Sequence, residues 1–214
     1  QARRAQYRVA RCPRSMTIAA VTGHLLLISA ALVFLLSIRR LSPLPRGVTL
    51  VVCIGIGLAR VGDLRLIGYP AGVLGDLSIT TQILLAAAIV KRAAGVDVLP
   101  SADRSFLLAA AASTGLVLYA LSSGLTILDL YSLGFGSGWF MVVLAVGVIA
   151  CSRHRPGGAL VIVLGVLAFD FGLLGSANVW DYLLDPVLVF FSWGWTFAVL
   201  LARLRLPQGS RGSR

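Results

Sequence analysis

The sequence predicts an all-α membrane protein, a single bundle of about seven transmembrane helices with the N-terminus out and the C-terminus in. Three observations carry this. Of 214 residues, 58% are hydrophobic and only 13% charged, against roughly 25% charged in an ordinary globular domain. The mean hydropathy is +0.91. The apolar residues fall in long runs separated by short clusters of Arg, Pro, Gly and Asp. Seven spans of about 20 residues take about 140 residues. What remains is too divided for a soluble domain, which needs roughly 50 contiguous residues.

The elements follow in order. Span one, 17–38, is closed by Arg39-Arg40, and a Pro-containing loop covers 39–47. Span two starts near Gly47 and is cleanly apolar only to Ala59, so crossing the bilayer requires it to continue through Arg60, Asp63 and Arg65. Gly68-Tyr69-Pro70-Ala71-Gly72 reads as a tight turn. Span three runs about 73–90 and stops at Lys91-Arg92. Span four is 105–128, span five about 132–151, span six about 158–178, and span seven about 186–204. Pro43, Pro45, Pro70, Pro100, Pro156, Pro186 and Pro207 all fall in loops or at span ends, where they break no helix. The domain division is a basic tail at 1–15, one transmembrane domain at 16–206 and a basic tail at 207–214. Residues 1–15 carry five arginines, and one reading is that they are not native to the chain. A signal peptide is disfavoured, because the run after Met16 is about twice the usual core length and Arg39-Arg40 follows it.

The net charge of +11 is a topology signal and not a nucleic-acid footprint, since the bases cluster between apolar runs. With the start of span one outside, twelve basic residues lie inside, against Arg60 and Arg65 outside. The expected location is therefore a bacterial cytoplasmic membrane, crossed many times. The expected partners are the bilayer and a membrane protein, with no nucleic acid. A bacterial source is suggested by 18 Arg to one Lys and by eight Asp with no Glu. Tyr69, Tyr131, Trp139, Trp180 and Tyr182 fall near outer span ends, as an aromatic belt requires. Cys12, Cys53 and Cys151 are too scattered for a disulfide framework.

The acids are the informative residues. Asp97 and Asp103 fall in an inner loop, while Asp63, Asp76, Asp129, Asp170, Asp181 and Asp185 map to the outer half. An acid within a span costs at least ~2.5 kcal/mol on insertion scales, so it faces a cavity or a partner. Asp63 lies three residues after Arg60, a helical ion-pair spacing. Gly75-Asp76 reads as a helix cap or a polar lining. Asp170, between Phe169 and Phe171, is read as the deepest acid, with no base at helical spacing. Asp181 and Asp185 are spaced i, i+4, which a helix would place on one face, yet Asp185-Pro186 also reads as an N-cap with Pro at the first helical position.

Several functions are excluded. Two separated histidines, His24 and His154, make neither a bis-His haem pair nor a three-His zinc site. Lys91, the only lysine, lies in a loop, which excludes a retinal Schiff base. Gly55-Ile56-Gly57 lacks the third glycine and the strand context of a dinucleotide fingerprint.

No cofactor is expected. The expectation is a non-enzymatic carrier, sensor or accessory subunit with an outward-facing acidic pocket formed by Asp63, Asp76, Asp129, Asp170, Asp181 and Asp185 together with Arg60. The alternative is a membrane-embedded enzyme acting on a lipid-linked substrate, with Asp181 and Asp185 holding a divalent metal.

Overall fold

The computed structural model describes residues 17–35, 43–62, 64–124, 127, 129–136 and 138–205. Among them lie nine α-helices: α1 (Ile18–Leu35), α2 (Pro43–Leu58), α3 (Gly68–Leu74), α4 (Ile79–Ala94), α5 (Ser101–Ser122), α6 (Gly138–Ser152), α7 (Pro156–Asp170), α8 (Trp180–Leu183) and α9 (Pro186–Arg205). The protein is all-α apart from a small antiparallel hairpin, β1 (Arg60–Val61) and β2 (Leu64–Arg65).

The helix ends follow from local chemistry. Pro43 and Pro45 fall in the first turn of α2, while Pro156 and Pro186 open α7 and α9. A missing N–H costs nothing in a first turn. Ser78 starts α4, its Oγ accepting the Thr81 N–H at 3.2 Å. Gly95 stops α4 in the left-handed conformation, at φ 77°, which a side chain would resist. Lys91 and Arg92 occupy the last turn of α4, where the helix dipole favours cations.

Packing pairs α1 with both α2 and α4, α5 with α9, and α6 with α7, while α7 also touches α4 and α5. Leu118, Phe140, Val179, Trp180 and Leu183 form one buried cluster, and Ala87, Leu99, Leu107 and Val161 another. Helices α5 and α9 pack tightly at Gly115, where a Cβ would come within 2.6 Å of Val189.

Two buried carboxylates fix the direction of four helices. Asp185 joins the N-terminus of α9 to that of α4. Asp103, in the first turn of α5, accepts the Gly158 N–H of α7 at 3.3 Å. Helices α4 and α9 therefore begin at one end of the bundle, and α5 and α7 at the other. The first end carries Asp76, Asp129, Asp170, Asp181 and Asp185, and the second carries Lys91, Arg92, Asp97, Arg104, Arg153 and Arg155. At the basic end Asp97 pairs with Lys91, with Arg104 at 3.8 Å. The hydrogen bond from the Lys91 ammonium holds the Asp97 carboxyl below the usual carboxylate range.

Several sequence expectations need correction. Span two does not continue through Arg60, Asp63 and Arg65. Helix α2 stops at Leu58, and the chain reverses through Gly62, at φ 64°. Arg60 faces Arg65 across the hairpin, and Asp63 lies outside the described residues. The Gly68–Gly72 segment is the start of α3 and not a tight turn. Span six ends at Asp170 and not at 178. Trp180 and Tyr182 are buried, the latter 0% exposed, and pack inside the bundle. Only Tyr69 and Trp139 of the proposed belt are well exposed. Among the described residues two helices, Ser101–Ser122 and Pro186–Leu204, are long and apolar enough to cross a membrane.

Candidate acidic cavity

The acidic end contains a cavity of 520 Å³. Its wall is built from the chain that leads into α4 and α9. Leu74, Gly75 and Asp76 enter from the α3–α4 connection, Leu174 to Ala177 from the stretch after α7, and Asp181, Leu184, Asp185 and Pro186 from α8 and the start of α9. Three aspartates line it, Asp76, Asp181 and Asp185, and among the described residues no basic side chain does.

Asp185 is 4% exposed and fully engaged. Its Oδ1 accepts the Leu188 N–H at 2.9 Å, capping α9. Its Oδ2 accepts the Ser78 N–H at 3.0 Å, the Ser78 hydroxyl at 2.6 Å and the Thr81 hydroxyl. One carboxylate thus sits between the positive ends of two helix dipoles, which stabilise its charge. The N-cap expected at Asp185-Pro186 is present. The cap of α4 is Ser78 and not Asp76.

Asp181 is half-buried. Both of its oxygens accept the Tyr131 hydroxyl, at 2.9 and 3.0 Å, and Oδ2 also accepts the Ser176 hydroxyl. Asp181 thereby ties the α5–α6 connection to the wall of the cavity. Asn178 Nδ2 donates to the Tyr131 carbonyl at 2.9 Å, and Trp180 Nε1 to the Leu130 carbonyl at 3.0 Å. Burial, then the hydrogen bond to Asp181 and its negative charge, push the Tyr131 phenol up to about 12. The Tyr182 phenol is also raised, chiefly by burial. Its hydroxyl bonds the Leu174 carbonyl at 2.8 Å and pins the 174–176 segment.

The structure gathers only part of the predicted pocket. Asp76 lies exposed at the cavity, near Gly175, where a Cβ would meet its Oδ2 at 3.8 Å. Asp129 is exposed and caps a local turn, accepting the Tyr131 N–H at 3.0 Å. Asp170 is not the deepest acid, since it is the exposed last residue of α7. Arg60 is exposed on β1. Asp181 and Asp185 do not share a helical face, because Leu184 is extended, at φ −136° and ψ 142°, and breaks the helix between them. Among the described residues no three His, Cys, Asp or Glu side chains form a candidate metal-ligand set.

The sequence reading missed Ser78, Thr81, Ser176 and Asn178 as cavity builders and Asp103 as a helix link. Most of their partners are distant in the chain: Ser78 is 107 residues from Asp185, Asn178 is 47 from Tyr131 and Asp103 is 55 from Gly158, whereas Ser176 bonds Asp181 five residues on. The polar run from Ser78 to Gln82 is the one local signal. No family model, curated protein or solved structure matches this chain.

Proposed function

We propose that the chain is a seven-span protein of a bacterial cytoplasmic membrane, with the N-terminus out and the C-terminus in. It acts as a carrier, sensor or accessory subunit whose outward-facing acidic cavity takes up a cation or a cationic head group. The cavity lined by Asp76, Asp181 and Asp185, with no basic side chain among the described residues of its wall, carries this reading. A concave site with one sign of charge and low-dielectric walls concentrates the opposite sign.

The membrane part rests on four supports. Helices α1, α2, α4, α5, α6, α7 and α9 make seven long elements. The shared ends of α4 with α9 and of α5 with α7 are those an alternating seven-span path requires. Only 33% of the apolar window of α5 and 17% of that of α9 is buried, whereas the core helix of a soluble protein would be mostly covered. Phe190, Phe191, Phe197 and Leu200 are all more than half exposed, which suits contact with lipid. The separation of the acidic and basic ends agrees with the expected orientation, because cytoplasmic loops carry the excess Arg and Lys.

The test uses ethanolamine and choline as probes on the purified full chain in detergent. Each raises the unfolding midpoint in a concentration-dependent way, as mass action requires, and Asp76→Asn weakens the effect. A midpoint indifferent to both cations would overturn the reading.

A further inference from the structure

A second void lies beside the acidic cavity. It is an apolar groove of 290 Å³ that runs between α5 and α6. Helix α6 packs chiefly on α7 and not on α5, its predecessor in the chain, and the groove occupies the gap this leaves. Its wall follows α6 from Phe140 to Cys151, roughly 16 Å at the helical rise. Leu107, Ala111 and Thr114 face it from α5, and its polar lining is limited to such groups as the Thr80 and Thr114 hydroxyls. Val143 and Gly147 line the groove and are also exposed, so it opens sideways at the helix surface.

Leu184 lines both voids. Leu184 is the extended residue between α8 and α9. Asp185 follows it on the acidic side, and Leu183 and Leu188 lie on the apolar side. A polar, negatively charged chamber thus adjoins a narrow hydrocarbon-lined slot.

We infer that the groove and the cavity are two halves of one site for a lipid with an ammonium-bearing head group. The acyl chain lies in the groove between α5 and α6, and the ammonium sits in the cavity against Asp76 and Asp181, the accessible acids of its lining. This rests on the membrane and cation reading above and names the ligand class. Length and apolarity suit the groove to a single hydrocarbon chain. The three aspartates in the lining select the head group by charge complementarity, a term worth more in a low-dielectric site than in water. The lateral opening lets the lipid enter from the bilayer without leaving it.

The experiment is native mass spectrometry of the full chain in mild detergent, with dioleoyl phosphatidylethanolamine and dioleoyl phosphatidylglycerol added in equal amounts. The protein retains the ethanolamine lipid over the glycerol lipid. Asp76→Asn lowers that preference about tenfold, the effect of roughly one charge contact. Gly147→Leu abolishes adducts of both lipids. A Cβ at Gly147 meets nothing within 4 Å, so the side chain grows into open space. Val143→Trp, at an exposed position, repeats the block by a second route. Equal retention of the two lipids, adducts that survive both groove-filling variants, or a co-purifying protein helix in the groove each overturn the proposal. If ethanolamine and choline still raise the unfolding midpoint in that case, the cavity reading stands and the lipid reading falls.

Discussion

Ser78 and Asp185, 107 positions apart, are joined by two hydrogen bonds, from the Ser78 N–H and the Ser78 hydroxyl to the same carboxylate oxygen. Through this pair the starts of α4 and α9 share one buried charge. The acidic cavity lies against that junction, so the residues that build the bundle also set the shape of the chamber.

Asp185→Ala removes the cap of α9 and strands the donors of Ser78 and Thr81. An N-cap is worth about 1 kcal/mol, and a buried hydrogen bond to a charged group about 1.5–3. The expected loss is about 3 kcal/mol, read as a lowered unfolding midpoint in detergent. Asp129→Ala, at an exposed turn, should leave the midpoint nearly unchanged. Equal effects of the two variants would contradict the capping role.

Tyr131 gives a pH signature. Its phenol is raised above the usual value to about 12 in the folded protein. The unfolded chain therefore releases this proton more easily, and ionisation favours unfolding. The contribution of Tyr131 is fully present below about pH 10 and is lost as pH rises towards 12. Tyr131→Phe should flatten that alkaline decline in part, with Tyr182 supplying the remainder, since its phenol is shifted the same way. An alkaline melting profile identical in the two proteins would refute this.

Gly115 tests the packing of α5 on α9. A Cβ there would meet both methyls of Val189 within 2.7 Å, so Gly115→Ala should cost about 1–3 kcal/mol by overpacking. Val189→Ala should recover much of that loss, because the two positions are in contact and their effects do not add. Additive losses would show that the helices are held apart elsewhere.

The sequence made some of this legible for local reasons. Helix class, the seven apolar runs and the cap at Asp185-Pro186 all depend on residues close in the chain. The i, i+4 spacing of Asp181 and Asp185 misled, because it presumes one helix where Leu184 is extended. Arg60 misleads in a similar way: bilayer thickness asks for helix where the chain leaves α2 at Leu58 and reverses through Gly62. Asp170 looked deep because hydropathy does not mark where α7 stops. The roles of Ser78, Thr81 and Asp103 were not legible, since each answers to a partner more than 50 residues away.

The most direct test of the account is the sidedness of the two ends. Ala177→Cys at the rim of the cavity and Arg153→Cys at the basic end are each placed in a chain with Cys12, Cys53 and Cys151 replaced by serine or alanine. Intact bacterial cells are treated with a membrane-impermeant maleimide. The account predicts labelling at position 177 in intact cells and at position 153 only after the membrane is opened. Labelling of both positions in intact cells, or of position 153 alone, would contradict an outward-facing acidic cavity.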